Sequence, residues 1–408
     1  MTTEKNGSLA GIKVLDLTRV ISGPYATMML ADMGADIVKI EEPTRGDEMR
    51  WIRYRGRGEQ DEDYFYACNR SKRSVGLNLK DHADQAIAQK LAAQADVLIE
   101  NFSPGVAKRL GMGWEPLSKT NPRLIYCSIS GFGQDGPYRS RPALDPIIQA
   151  ISGVMSVTGY AEHPPVKVGA PVADVVSGMF AAYAIAAAIA GRHATGRGQY
   201  IDVSMQDSMI AVLGPRMGES LQAGIAPGRH GNATAMRVPA DTYLTADDRY
   251  ITMMVLNDTA WEPFCRAVEK PQWFANLAYR TSADRVRHKI EINQLVTEEF
   301  RKRTADDWGK RLEEHRIPYG FVNNYLQAVD DPQVQHRGLV RKIHHPTSGV
   351  IRVVGAPWKS SEGDCNPKAP PRLGEHTKEV LCEWLSITAS DAALMEAQLK
   401  SRHSVANT

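Results

Sequence analysis

The sequence predicts an α/β fold in which a parallel sheet is covered by helices on both faces, with a smaller α+β domain inserted. Three observations predict it. Short apolar runs alternate with helical stretches through the first two hundred residues, the pattern of parallel strands joined by helical crossovers. The texture changes at residues 224–239, rich in Gly, Pro, Arg and small polar side chains, which marks a linker or loop. Strand signals return at residues 340–354. The expected boundaries are residues 1–223 for the first part of the large domain, 224–328 for linker and small domain, and 329–408 for the return to the large domain and a C-terminal helix.

Taken in order, Val14-Leu15-Asp16-Leu17 is a short apolar strand, and Gly23-Pro24 opens a helix over residues 25–33, because proline is favoured in a helix's first turn. Gly34 ends it, and residues 35–40 form a second strand, giving one strand–helix–strand unit. A strand over 75–79, a helix over 85–95 and strands over 96–102 and 124–130 continue the pattern. Helices follow over 145–157 and 177–193, then a strand over 199–204. Residues 241–256 form a hairpin turning at Ala246-Asp247-Asp248. Three amphipathic helices come next, over 260–268, 283–303 and 305–315, and a last helix covers 378–384.

Composition excludes several classes. The net charge of +2 gives no support to a nucleic-acid binder. The five cysteines (Cys68, Cys127, Cys265, Cys365 and Cys382) are odd in number and contain no CxxC pair. That argues against a disulfide framework or zinc site and for a reducing, cytoplasmic setting. The polar residues 1–8 do not read as a signal peptide. The alanine-rich run over 179–191 is shorter than the about 20 apolar residues needed to span a bilayer, so no membrane association is expected.

Gly131-Phe132-Gly133-Gln134-Asp135-Gly136 matches GxGxxG after a strand. A dinucleotide site also needs a helix to open at its last glycine, and Pro137 to Pro142 do not start one; a glycine-rich turn is the better reading. No GxSxG, HExxH or paired Cys/His spacing occurs, so no serine triad or metal is expected. Asn69-Arg70-Ser71-Lys72-Arg73-Ser74 is basic without acidic neighbours. It reads as a solvated loop or as an anion site. Asp174 lies where an extended segment gives way to the alanine-rich helix. It reads as an N-cap or as a nucleophile whose ionised form the helix start favours.

At these residues the sequence resembles the class III CoA-transferase family, the carnitine/formyl-CoA transferase type. The resemblance runs from Leu9 to about Leu381. It is carried in order by Val14-Leu15-Asp16-Leu17-Thr18, Gly23-Pro24, residues 34–41, residues 69–74, residues 100–105, Thr195-Gly196-Arg197-Gly198-Gln199 and residues 373–377. It implies a Rossmann-like large domain with a parallel sheet built from both chain ends, and an interlocked homodimer. It also implies an aspartyl nucleophile at Asp174 and CoA contacts at Val20, Ile21, Ser22, Leu77, Lys80, Asn101, Phe102, Arg109 and Met205. CoA and acyl-CoA act as substrates, with no tightly bound cofactor.

Departures from relatives narrow the function. Formyl-CoA transferases carry Gln at Ile21, Arg at Glu42 and a lysine at Pro142, and a Gly-rich loop in the small domain. Racemases of the superfamily carry His-Asp at Leu144-Asp145; with leucine there one of the two bases is missing, and a two-base proton transfer is hard to run. The resemblance therefore implies transfer of CoA through an aspartyl-CoA thioester, between succinyl-CoA and a small dicarboxylate of the glutarate, itaconate or mesaconate type. An α-methylacyl-CoA racemase, a formyl-CoA or carnitine-type transferase and a non-catalytic CoA binder are the alternatives. Arg19 and Arg73 are candidates for the distal carboxylate, with structural ion pairs as the plain reading, and Asp145 keeps an acid near the pantetheine.

Overall fold

The computed structural model describes residues 7–52, 62–361 and 366–405; Cys365 lies outside them. The chain divides into two compact units. The first contains the residues up to Val154, Lys167–Ala223 and Gln335 onward; the second contains Met155–Val166 and Gly224–Val334.

The first unit is built on β1 (Lys13–Asp16), α1 (Ser22–Asp32), β2 (Asp36–Glu41), α2 (Asp63–Asn69), β3 (Lys72–Gly76), α3 (His82–Ala93) and β4 (Val97–Glu100). It continues through α4 (Val106–Arg109), α5 (Trp114–Thr120), β5 (Ile125–Ser130), α6 (Asp145–Ile151), α7 (Val172–Thr195), β6 (Gln199–Ser204), α8 (Met205–Ala211) and α9 (Gly214–Ala223). The six strands form one sheet in the order β3-β2-β1-β4-β5-β6, and every pair is parallel.

Alternation along the strands explains the two covered faces, since successive side chains point to opposite sides. Val14, Ile37, Val97, Ile99, Ile125 and Cys127 join α1 and α7 in one core. Their neighbours Leu15, Val38, Leu98 and Tyr126 join α3, α5 and the C-terminal helices in the other. Both sets are essentially fully buried, as expected of a parallel sheet with helices on both faces.

The second unit contains β7 (Ala240–Leu244), β8 (Tyr250–Met254), α10 (Trp261–Ala267), α11 (Pro271–Ala275), α12 (Ser282–Arg287), α13 (Lys289–Phe300), α14 (Ala305–Glu314), β9 (Tyr319–Phe321) and α15 (Tyr325–Val329). Its sheet is antiparallel, over a core that stacks Phe300 on Trp308 at 4.6 Å. The helix expected over 283–303 is two. Thr281 and Asp284 form a capping box that starts α12. Buried Arg285 then ties α12 to the carbonyls of Val238 and Tyr279, and the chain leaves helical geometry at His288.

After α16 (Pro332–Arg337) come β10 (Val340–His345), β11 (Gly349–Val354), α17 (Thr377–Leu385) and α18 (Ala389–Val405). The α/β class holds, with one correction. The strands of the parallel sheet all precede residue 205, and the C-terminal part adds helices and an antiparallel hairpin. The turn at residues 346–348 folds β11 back on β10, so neither strand enters the parallel sheet. Two other expectations also change. The helix over 145–157 stops at Ile151, because Gly153 adopts a positive φ of 92°. The alanine-rich helix is longer than expected at 24 residues. That is long enough to cross a membrane by length and composition, but Ala173, Ala181, Ala182, Ile185 and Ile189 belong to the core.

Candidate active site

Open α/β sheets bind ligands outside the carboxyl ends of the strands, where the strand order reverses. Here that point lies between β1 and β4. A cavity of about 390 Å³ opens there, lined by residues that follow four strands: Leu17, Thr18 and Arg19 after β1, Glu41 and Glu42 at β2, Leu77 and Lys80 after β3, and Phe102 after β4. Four of the residues singled out in the sequence thus meet in one crevice: Arg19, Leu77, Lys80 and Phe102. The Arg19 guanidinium sits 5.3 Å from the centre of the Phe102 ring.

Val20, Ile21, Ser22 and Asn101 build the wall beside it. Asn101 Oδ1 accepts the Arg19 N–H at 2.8 Å, and its Nδ2 donates to the Arg19 carbonyl at 2.7 Å and to Ser22 Oγ at 3.1 Å. Val20 is held at φ 67°, a left-handed conformation that costs a β-branched residue about 1–3 kcal/mol. Its N–H donates to Asp47 Oδ1 at 3.2 Å. Val20 and Ile21 also pack on a cluster of Met49, Phe65, Tyr66, Ile351 and Val353. Arg109 is exposed on α4 outside the crevice lining. Met205 is packed in the core with Ala173 and Ile148 rather than on the crevice wall.

Beneath the crevice lies a lattice of buried charges that the sequence did not disclose. Lys39 Nζ lies 3.0 Å from Asp47 Oδ2, and Lys72 Nζ donates to Asp16 Oδ2 at 3.1 Å and to the Pro24 carbonyl at 3.0 Å. Arg50 grips Glu41 through Nε and Nη2 at 2.8 and 2.7 Å. Burial pulls the Lys72 amine down to about 8 despite Asp16. Burial alone would raise the Asp16 carboxyl, but Lys72 and Lys39 outweigh it and hold it below the usual range.

The basic segment 69–74 is accordingly neither a solvated loop nor an anion site. Arg70 pairs with Asp32, and Lys72 with Asp16. Arg73 is engaged by Asp36, Glu379 and Glu383 at 2.7–2.9 Å, which leaves it the structural ion pair and not a hand for a ligand's carboxylate.

Asp174 is the third residue of α7, not its N-cap, which is Pro171. The cap comes from another helix. Asp145, the first residue of α6, accepts the N–H of Ala173 at 2.7 Å and of Asp174 at 3.4 Å on Oδ2. Its Oδ1 accepts from Gln149 Nε2 at 2.6 Å, and Gln149 Oε1 accepts the Val168 N–H at 2.8 Å. The expectation that the helix start would favour the ionised Asp174 is therefore corrected: those amides serve Asp145. Burial, and then the Asp145 carboxylate, push Asp174 up to about 7. Among the described residues no cation pairs with its side chain.

Gly178, one turn further on the same face of α7, lets that helix touch the start of α1. A Cβ at Gly178 would stand 2.5 Å from the Ser22 carbonyl oxygen. This close approach sets Asp174's helix against the Val20–Ser22 loop. No helix opens at Gly136, which has φ 80°, so the GxGxxG match remains a turn.

The fold and site define a doubly wound α/β protein with a switch-point crevice and a proton-poised carboxylate at the start of a core helix. The sequence model described as CoA-transferase family III matches residues 9–377. The chain is 36% identical to the human succinyl-CoA:glutarate CoA-transferase, over 92% of this chain and 86% of that one. It is 37% identical to the succinate–glutarate CoA-transferase of Agrobacterium fabrum, over 93% and 96%. A crystal structure of a CaiB/BaiF family protein from Brucella suis superposes with a TM-score of 0.85 at 32% identity, covering 93% of this chain and all of that one. The chain belongs to CoA-transferase family III and is an enzyme of the CoA-transferase type, whose substrates are CoA thioesters.

Proposed function

We propose that the enzyme moves CoA between succinyl-CoA and a small dicarboxylate of the glutarate type, through a thioester on Asp174. The observation that carries this reading is the Asp174 carboxyl itself: one turn before the glycine at which its helix meets the β1–α1 loop, without a cation among the described residues, and pushed to about 7. A more basic carboxylate is a better nucleophile, and a nucleophile must be free of a tight ion pair. The names of the similar human and Agrobacterium proteins support the acyl pair.

Ionised Asp174 attacks the thioester carbonyl carbon. The C–S bond breaks, leaving an acyl–aspartyl anhydride and CoA thiolate. The thiolate attacks the aspartyl carbon of the anhydride, releasing the donor acid and forming aspartyl-CoA. The acceptor carboxylate attacks that thioester, and the thiolate then takes the new acyl group, returning the Asp174 carboxylate. Each exchange conserves one thioester, so no external energy source enters. Splitting the transfer this way replaces one hard step with easier ones. Holding the thiolate beside the anhydride supplies proximity.

CoA occupies the switch-point crevice in this reading. Lys80 faces its phosphates, Leu77 and Phe102 its adenine, and the Val20–Ser22 loop lies toward the thiol end, while Arg109, outside the lining, and Met205, in the core, make no direct contact. Arg19, bridged to exposed Glu48 at 3.3 Å, lies over the Phe102 ring and so serves the nucleotide end of CoA rather than the distal carboxylate. No other cofactor takes part. The proposal also includes an interlocked homodimer in the cytoplasm. It is supported by the exposed apolar face of α7 at Met179, Phe180 and Tyr183 and by the free thiols of Cys68, Cys127, Cys265 and Cys382.

The test is direct. Acyl-CoA with hydroxylamine should convert Asp174 to its hydroxamate, read by mass of the tryptic peptide, and Asp174→Ala should abolish transfer while folding normally. An unmodified peptide with full turnover ends the aspartyl reading. A screen of succinyl-, acetyl- and oxalyl-CoA against mono- and dicarboxylates, read by mass of the CoA products, decides the acyl pair. Light scattering decides the dimer.

A further inference from the structure

A second cavity, of about 470 Å³, lies beyond the β4–α4 connection from the crevice. Its floor is Glu100, the last residue of β4, which is 3% exposed. Five buried carboxylates of this unit pair with cations: Asp16 with Lys72, Asp32 with Arg70, Glu41 with Arg50, Asp47 with Lys39 and Asp84 with Arg402, while Asp145 is taken up by three N–H donors at the start of α7 and on Gln149. Burying a carboxylate without such a partner is costly. Among the described residues Glu100 has only neutral donors, the Ser128 hydroxyl and the Phe102 N–H at 2.8 Å. Ser128 in turn receives the Tyr200 hydroxyl at 3.1 Å. Burial pushes the Glu100 carboxyl up to about 7.

The walls answer the floor. Trp114, Tyr126 and Tyr200 form a three-ring cluster with centroids 5.7–6.0 Å apart, and aromatic faces attract ammonium groups. At the mouth, Lys108 is neutralised by Glu115 at 3.2 Å. Arg139 remains as an exposed cation. Gln134 Nε2, also in the lining, is buried with no acceptor. The cavity therefore has a negative, aromatic-walled floor and a positive rim with an unused amide donor.

We propose that this cavity binds a small amino-acid zwitterion, its ammonium on Glu100 against the aromatic rings and its carboxylate at Arg139 and Gln134. The site is separate from the switch-point crevice and does not depend on how Asp174 acts. The two share the wall made by the β4–α4 segment and α4, with Phe102, Val106 and Leu110 on one side and Glu100, Pro104, Gly105, Ala107 and Lys108 on the other.

Calorimetric titration of the full-length protein with each of the twenty standard L-amino acids tests it. At least one should bind saturably, and saturating CoA should not displace it. Its amino-alcohol analogue, lacking the carboxylate, and its des-amino acid, lacking the ammonium, should each bind about ten- to hundredfold more weakly. Glu100→Gln should weaken binding by a similar factor. Arg139→Ala, a change at an exposed position, should do so without touching the core. No binding across the panel, competition with CoA, full affinity for a singly charged analogue, or indifference to Arg139→Ala would each overturn the proposal.

Discussion

The Asp145 carboxylate takes the backbone amides at the start of the helix that carries Asp174, and so sits beside the carboxyl whose ionisation it opposes. One residue fixes where the second carboxylate stands and makes it harder to ionise. Asp145→Asn should preserve the cap, because asparagine caps as well as aspartate, while removing the charge. Transfer requires ionised Asp174, so wild-type kcat/KM should rise with pH through about 7. In Asp145→Asn that midpoint should move to lower pH. A pH profile of both proteins checks this, and an unmoved midpoint would separate Asp145 from the chemistry.

The same shift predicts a stability cost. An acid whose folded pKa is raised binds its proton more tightly in the folded state. Stability contributed by Asp174 is therefore fully present below its unfolded value near 4 and is lost as pH rises to about 7. Asp174→Asn should be more stable than wild type at pH 8, on the order of 2 kcal/mol, with the difference vanishing near pH 4. Denaturant melts at the two pH values measure it.

Gly178→Ala should destabilise the protein by about 1–3 kcal/mol, because its Cβ would press on the Ser22 carbonyl at 2.5 Å. Activity should fall further than stability, since the displaced element is the loop beside Asp174. Comparing the midpoint of urea unfolding with kcat at a temperature where the variant is folded separates the two effects.

Asn101→Ala should leave the sheet intact but release Arg19 and Ser22, which the Asn101 amide bridges. Each lost hydrogen bond contributes about 1 kcal/mol. Affinity for the CoA substrate should weaken several-fold, with kcat falling less. Steady-state KM for acyl-CoA and direct CoA titration measure it.

Much of the fold was legible because the strands are short apolar runs and the alternation of Val14 with Leu15, or Ile37 with Val38, is local information. The first turn of α7 was not, because Pro171-Val172-Ala173 reads as extended until Asp145 supplies its cap from 28 residues away. The C-terminal α18 carries a weak apolar stripe. It is fastened by Arg402 and His403 to Asp84, partners more than 300 positions distant. At the site, residues just after strands could be singled out, and Arg19, Leu77, Lys80 and Phe102 do meet. Arg70, Lys72 and Arg73 misled because their acids, Asp32, Asp16 and Asp36, are remote in sequence. Glu100 and Tyr200 were missed, since nothing local marks a buried acid that lacks a cation.

The left-handed Val20 has a bearing on engineering. The shape of the β1–α1 loop is dictated by Asp47 and Asn101 as much as by residues 19–22 themselves. Swapping that tetrapeptide between relatives to alter acyl preference would transplant side chains without their scaffold. A transferable cassette must carry all three segments together, and libraries that randomise the loop alone will sample mostly shapes this protein cannot hold.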